Sequence, residues 1–130
     1  MTAPLVAGAC AGIAAFQVSL AAGAPLGALA WGGSHPGRLP QDLRVASGIS
    51  AGTWAVLGAA IASGRPRDPR GRAVLMGAVT ALSTAGVITN LASQSLPERM
   101  LWVPVTAAMA ALAGRETRRL VRSARAAADG

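Results

Sequence analysis

Charge is scarce in this chain, and what there is stands in a few short runs. Lysine and tyrosine are absent, cysteine, histidine and phenylalanine occur once each, and five acids face twelve arginines in 130 residues. Each shortage excludes something. The lone Cys10 rules out an internal disulfide and a multi-cysteine metal centre. No sequence long enough to be the apolar part of a lipoprotein signal precedes it. One histidine and scattered acids give no zinc spacing, and neither H-E-x-x-H nor C-x-x-C occurs, so neither a metal nor a cofactor is expected. Charged residues make up 13% of the chain, about half the share of an ordinary soluble domain.

The gaps between the charged runs are the main signal. Residues 1–34, 45–64 and 73–97 carry no Arg, Lys, Asp, Glu or His, and 100–114 is a fourth clean stretch. A bilayer core takes about 20 mostly apolar residues per helix, and a charge at its centre costs about 3 kcal/mol on insertion scales. The pattern predicts an all-α membrane protein, a bundle of four antiparallel transmembrane helices over about 4–22, 43–63, 73–92 and 99–114. Residues 1–114 form the membrane domain in this reading, and 115–130 a basic cytoplasmic tail. A cleaved signal peptide would need a positive N-terminal region, which is missing, so the first span is expected to stay uncleaved. The fourth span is short, because 15 uncharged residues rise only about 22 Å. Local thinning of the bilayer or snorkelling of Arg99 and Arg115 would make up the difference.

Arginine placement orients the bundle. Arg65, Arg67, Arg70 and Arg72 lie in the hairpin after the second span, and Arg115, Arg118, Arg119, Arg122 and Arg125 in the tail; the opposite connections hold only Arg38, Arg44 and Arg99. The positive-inside rule then puts both termini in the cytoplasm, in a multi-pass protein of the cell membrane. Trp31 and Trp102 fall at the outer interface, where tryptophan is enriched. The net charge of +7 is explained by these flanks, so no nucleic-acid partner is expected. The expected partners are the bilayer itself, anionic lipid under the arginine stripe of the tail, and a protein partner or further copies of the chain. Gly8/Gly12 and Gly48/Gly52 are G-xxx-G pairs of the kind that lets helices approach closely, and they predict a tight bundle with little room for a large cavity.

Polar residues that topology does not explain gather on the outer side. His35 could carry a proton near neutral pH, with Asp42 or Glu98 to orient it, but a histidine between Ser and Pro is also an ordinary solvated loop residue. His35, Asp42 and Glu98 are therefore the catalytic candidates. Gln17, Trp31, Arg44, Asn90, Arg99 and Trp102 are the binding candidates. Asp42 and Glu98 near helix starts suit the helix dipole, and either could form a cross-loop ion pair, Asp42 with Arg99 or Glu98 with Arg44. Gln17 and Asn90 at membrane depth are expected to bond to neighbouring helices. Trp54, in mid-span, is expected to fill the core rather than line a pocket.

Gly23-Ala-Pro-Leu-Gly27, Trp31-Gly-Gly-Ser-His-Pro-Gly-Arg-Leu-Pro40 with Leu43-Arg44, and Asn90-Leu-Ala-Ser-Gln-Ser95 with Glu98-Arg99 and Trp102-Val-Pro104 resemble a group of small, uncharacterised four-span membrane proteins of GC-rich bacteria. The resemblance covers about residues 17–104 and implies the same topology, and no activity is known for the group. Small multidrug exporters need an acid in the first helix, disulfide-generating quinone reductases need C-x-x-C, and fluoride channels carry a different Gly/Arg and Asn/Phe pattern. The expected role is a non-catalytic accessory or structural membrane subunit. The alternatives are an oligomeric small transporter or channel, and a membrane-embedded enzyme or binder of an apolar small molecule with its site at the outer face. Ionisable residues mark most transport paths and the spans have none, which favours the first. The orientation is tested by fusing alkaline phosphatase to Gly130. The fusion is expected to be inactive, and periplasmic activity would reverse the topology.

Overall fold

The structure, a computed structural model, describes residues 2–130. It is all-helical: α1 (Thr2–Ala22), α2 (Gln41–Ala62), α3 (Pro69–Ala92) and α4 (Leu96–Ala126), with no strand among the described residues. Two short 3-10 turns, Gly27–Leu29 and Trp31–Gly33, lie in the loop between α1 and α2. By length and composition, α1, α2 and α3 could each cross a membrane.

The helices begin where local chemistry starts them. Asp68 caps α3 by accepting the Gly71 N–H at 2.6 Å, and Pro69 occupies the first turn, where its missing N–H costs nothing. The helix therefore starts four residues before the expected Ala73. Ser95 caps α4 through the Glu98 N–H, again with a proline, Pro97, in the first turn. The largest difference from expectation is the other end of α4. A helix was expected over 99–114, yet α4 continues through the basic tail to Ala126. Gly114 does not break it, because the turns beyond still have packing partners. Thr117 lies against Thr80 and Gly77 of α3, and Leu120 is buried in the main core.

α1 packs along α2 and α3 along α4. The register of the contacts shows each pair to be antiparallel. Gly58 faces Cys10 and Gly48 faces Ala21, while Gly86 faces Thr106 and Gly77 faces Thr117. The two pairs meet mainly through α1 and α4, and α2 and α3 barely touch. The main core gathers Val6, Cys10 and Ile13 of α1, Ile61 of α2, Met76 and Val79 of α3, and Met109, Ala113 and Leu120 of α4. A second, small cluster of Leu20, Ala30 and Leu39 lies under the α1–α2 loop.

The G-xxx-G expectation is corrected by this packing. Side-chain atoms added at Gly8, Gly12 or Gly52 would meet nothing within 4 Å, and at Gly48 only the Ala21 methyl at 3.8 Å. Gly8, Gly12 and Gly52 thus point away from the neighbouring helices, and Gly48 makes only an ordinary contact. The close approaches fall at Gly58, whose added Cβ would sit 3.0 Å from Cys10 Cβ and 3.4 Å from the Ala7 carbonyl, and at Gly86, 3.0 Å from a Thr106 methyl. A G-xxx-G pattern gives a spacing on a helix face, and only the neighbour's position decides whether that face is used. Gly58→Leu should therefore overpack the α1–α2 contact and destabilise the protein by about 1–3 kcal/mol. Gly52→Leu should leave the thermal midpoint of the detergent-purified protein within a degree or two. The reverse order would refute the packing.

Candidate functional site

A cavity of about 460 Å³ opens between the helices at the end that bears the α1–α2 loop. This overturns the expectation of little internal room. Close approaches draw α1 to α2 and α3 to α4, but α2 and α3 barely touch each other. Each helix lines the cavity with residues one turn apart: Ile13, Phe16 and Gln17 of α1, Ser50 and Trp54 of α2, Gly86, Thr89 and Asn90 of α3, and Glu98, Trp102 and Thr106 of α4. Leu29, Ala30, Trp31 and Gly32 of the loop close its mouth. The chain has three tryptophans, one phenylalanine and no tyrosine, so every aromatic side chain it owns faces this one space.

The loop is held over the cavity by side chains from the helices around it. Glu98 is buried and accepts the Gly32 N–H at 3.3 Å through Oε1, while its Oε2 accepts the Ser93 hydroxyl. Ser95 donates its hydroxyl to the Ala28 carbonyl, so the cap of α4 also ties down the loop. The indole N–H of Trp102 donates to the Leu29 carbonyl at 2.8 Å, and that of Trp31 to Ser47 Oγ at 3.0 Å. Trp31 has a φ of +54°, and Gly32 and Gly33 follow at +79° and +71°. A left-handed Trp is costly backbone, by about 1–3 kcal/mol, and it persists here because the indole bond to α2 and the Gly32 bond to α4 both fix the turn. Gly27 is equally constrained, since any Cβ there would collide with the His35 carbonyl. Phe16 and Trp102 stack in a tilted pair with centroids 4.8 Å apart, which joins α1 to α4 across the cavity wall.

The candidate residues divide clearly. Gln17, Trp31, Asn90, Glu98 and Trp102 come together around the cavity. Gln17 Oε1 is buried there with no hydrogen-bond partner, instead of bonding to a neighbouring helix. Arg44 lies outside and donates Nε to the Ala21 carbonyl at 3.0 Å, sealing the α1 end. His35, Asp42 and Arg99 are exposed, and the three catalytic candidates are not gathered into one site. Asp42 lies in the first turn of α2, where its charge suits the helix dipole, but its side chain makes no cap hydrogen bond. Neither of the alternative cross-loop ion pairs, Asp42 with Arg99 or Glu98 with Arg44, is present. Glu98 turns to Gly32 and Ser93, and the salt bridge present among the described residues joins Glu116 to Arg119 at 2.9 Å. Trp54 packs on the main core and also lines the cavity.

Phe16, Ser47, Ser93 and Ser95 were not singled out from the sequence. Ser95-Leu-Pro-Glu98 has the S-x-x-E spacing of a capping box and was readable as one. The other three act through partners 5 to 86 residues away in the chain, which no local pattern reveals. At the opposite end of the bundle, Arg115, Arg119, Arg122, Ser123 and Glu116 of α4 line a second hollow against Thr2 of α1.

Comparison with protein families, curated proteins and solved structures finds no match to this chain. The loop geometry itself supplies a test. Glu98→Ala removes the acceptor of two buried donors and should destabilise the protein by about 1–3 kcal/mol, whereas Glu98→Gln keeps one carbonyl acceptor and should recover part of the loss. Thermal unfolding followed by tryptophan fluorescence reads both, since all three indoles border the cavity.

Proposed function

We propose that this chain is a multi-pass protein of the cell membrane, with four spans and both termini in the cytoplasm, that binds an apolar small molecule in the cavity beneath its outer loop. The observation that carries the reading is the gathering of all four aromatic side chains around one cavity with a few fixed polar groups. Sites for small molecules are mostly apolar hollows of about 300–1,000 Å³ with a small number of placed polar groups. A subunit that only scaffolded other proteins would gain nothing from such a hollow, and an empty apolar space of this size costs packing energy. The binder reading therefore replaces the accessory-subunit expectation. Catalysis is not part of it, because His35, Asp42 and Glu98 do not converge.

The fourth span in this reading is the uncharged part of α4, residues 100–114, flanked by Arg99 and Arg115. The nine arginines of the hairpin and tail support the orientation. The second hollow supports the remaining partner. Arg115, Arg119 and Arg122 surround it at the cytoplasmic end, and the start of α1 adds the positive end of a helix dipole. This favours anionic lipid headgroups there.

The test uses the uncharged fluorescent probe N-phenyl-1-naphthylamine with the detergent-purified protein. Binding should saturate at one probe per chain with energy transfer from the tryptophans. Ser50→Phe, which fills the cavity, should weaken it at least tenfold without lowering the thermal midpoint. Non-saturable uptake, or an unchanged affinity in Ser50→Phe, would return the protein to the accessory class.

A further inference from the structure

The polar groups of the cavity are unevenly matched. Its donors are largely spent: the Trp31 and Trp102 indoles are bonded to Ser47 and Leu29, and the Thr89 and Thr106 hydroxyls donate back to carbonyls of their own helices. What remains to give a hydrogen bond is uncharged, the amides of Gln17 and Asn90 and the Ser50 hydroxyl. Its acceptors are the stronger set. The Glu98 carboxylate is the sole ionisable group in the lining, and no arginine lies within ion-pair distance of it. Gln17 Oε1 is buried without a donor. Around them stand four aromatic rings, two of them with indoles latched at their edges and therefore fixed in orientation.

A carboxylate and four aromatic rings lining a half-closed apolar space favour positive charge and disfavour negative charge. Aromatic faces attract cations through their quadrupole, most strongly when water is excluded, and quaternary ammonium groups are recognised in this way. Glu98 is prepared for the task by structure that does not depend on a guest. It sits in the first turn of α4, at the positive end of the helix, and is held by Gly32 and Ser93. An anion would meet this carboxylate with no cationic partner in the lining. A neutral hydrocarbon would fill the cavity but leave the Glu98 carboxylate without a counter-charge.

We infer that the guest is an organic cation, an ammonium or quaternary ammonium group on an apolar body, with its charge between Glu98 and the tryptophan faces. The inference rests on the binder reading above and specifies its ligand class. The positive group could belong to a free amphiphile or to a choline-type lipid headgroup, and the chemistry of recognition is the same.

Three ligands of one shape separate the possibilities: benzyltrimethylammonium, its neutral carbon isostere neopentylbenzene, and the anion phenylmethanesulfonate. Each is titrated against the protein in a maltoside detergent, by displacement of N-phenyl-1-naphthylamine. The cation should bind at least about tenfold more tightly than the isostere, and the anion should not compete. Glu98→Gln should reduce the preference for the cation to about threefold or less while leaving the isostere unchanged. Equal binding of cation and isostere to the native protein would overturn the inference and leave the binder reading standing. If none of the three displaces a probe that itself binds, the inference also falls. If neither probe nor ligands bind, both readings fall together. The native-protein series decides the matter even if Glu98→Gln does not fold. A dihexanoyl phosphocholine arm identifies the source once the cation has bound, since competition by it marks a lipid headgroup and failure to compete marks a free amphiphile.

Discussion

The end of this bundle depends on a buried carboxylate that serves the backbone of a distant loop. Glu98 takes the Gly32 N–H and the Ser93 hydroxyl, and the cap residue Ser95 reaches the Ala28 carbonyl. With the two indole bonds from Trp31 and Trp102, these contacts fix a glycine- and proline-rich loop that has only two short helical turns of its own. Buried backbone groups must find partners, and here the helices provide them with side chains instead of a sheet or a longer helix. The cavity exists because the loop is held across the gap between the helix pairs without falling into it.

Two kinds of contact therefore divide the molecule. Over the half of the bundle bearing the tail, close-packed small and aliphatic side chains join all four helices around Cys10, Val79 and Ala113. Over the other half, aromatic rings and hydrogen bonds span a wider separation. Gly58 and Gly86 let the helices approach, and Trp54 and Trp102, one turn or more nearer the loop on their helices, line the cavity. Two of the four rings that line the cavity, Trp31 and Trp102, also latch its cover.

The proposed cation selectivity is an electrostatic consequence of this arrangement. A lone carboxylate in a lining without arginine sets a negative potential, and the rings add to it at short range. The hollow at the opposite end of the bundle is instead lined by three arginines, one of them paired with Glu116.

Much of this was legible in the sequence. Uncharged stretches bounded by arginine, glycine and proline located α1, α2 and α3 to within about four residues, because burial of backbone in helices and exclusion of charge act on each segment locally. The concentration of Gln17, Trp31, Asn90, Glu98 and Trp102 at one end was also visible, since it follows from their distance along each helix. The sequence could not show which faces meet. That choice left Gly8, Gly12 and Gly52 outward, set Gly58 and Gly86 against neighbouring helices, carried α4 on to Ala126, and turned the Glu98 carboxylate towards a glycine N–H 66 residues away. Helix rotation about its own axis is set by the sum of many weak contacts with neighbours, and no single segment contains that sum. Composition and spacing determined the elements and their ends, and only the tertiary structure decided that their aromatic faces would enclose a cavity.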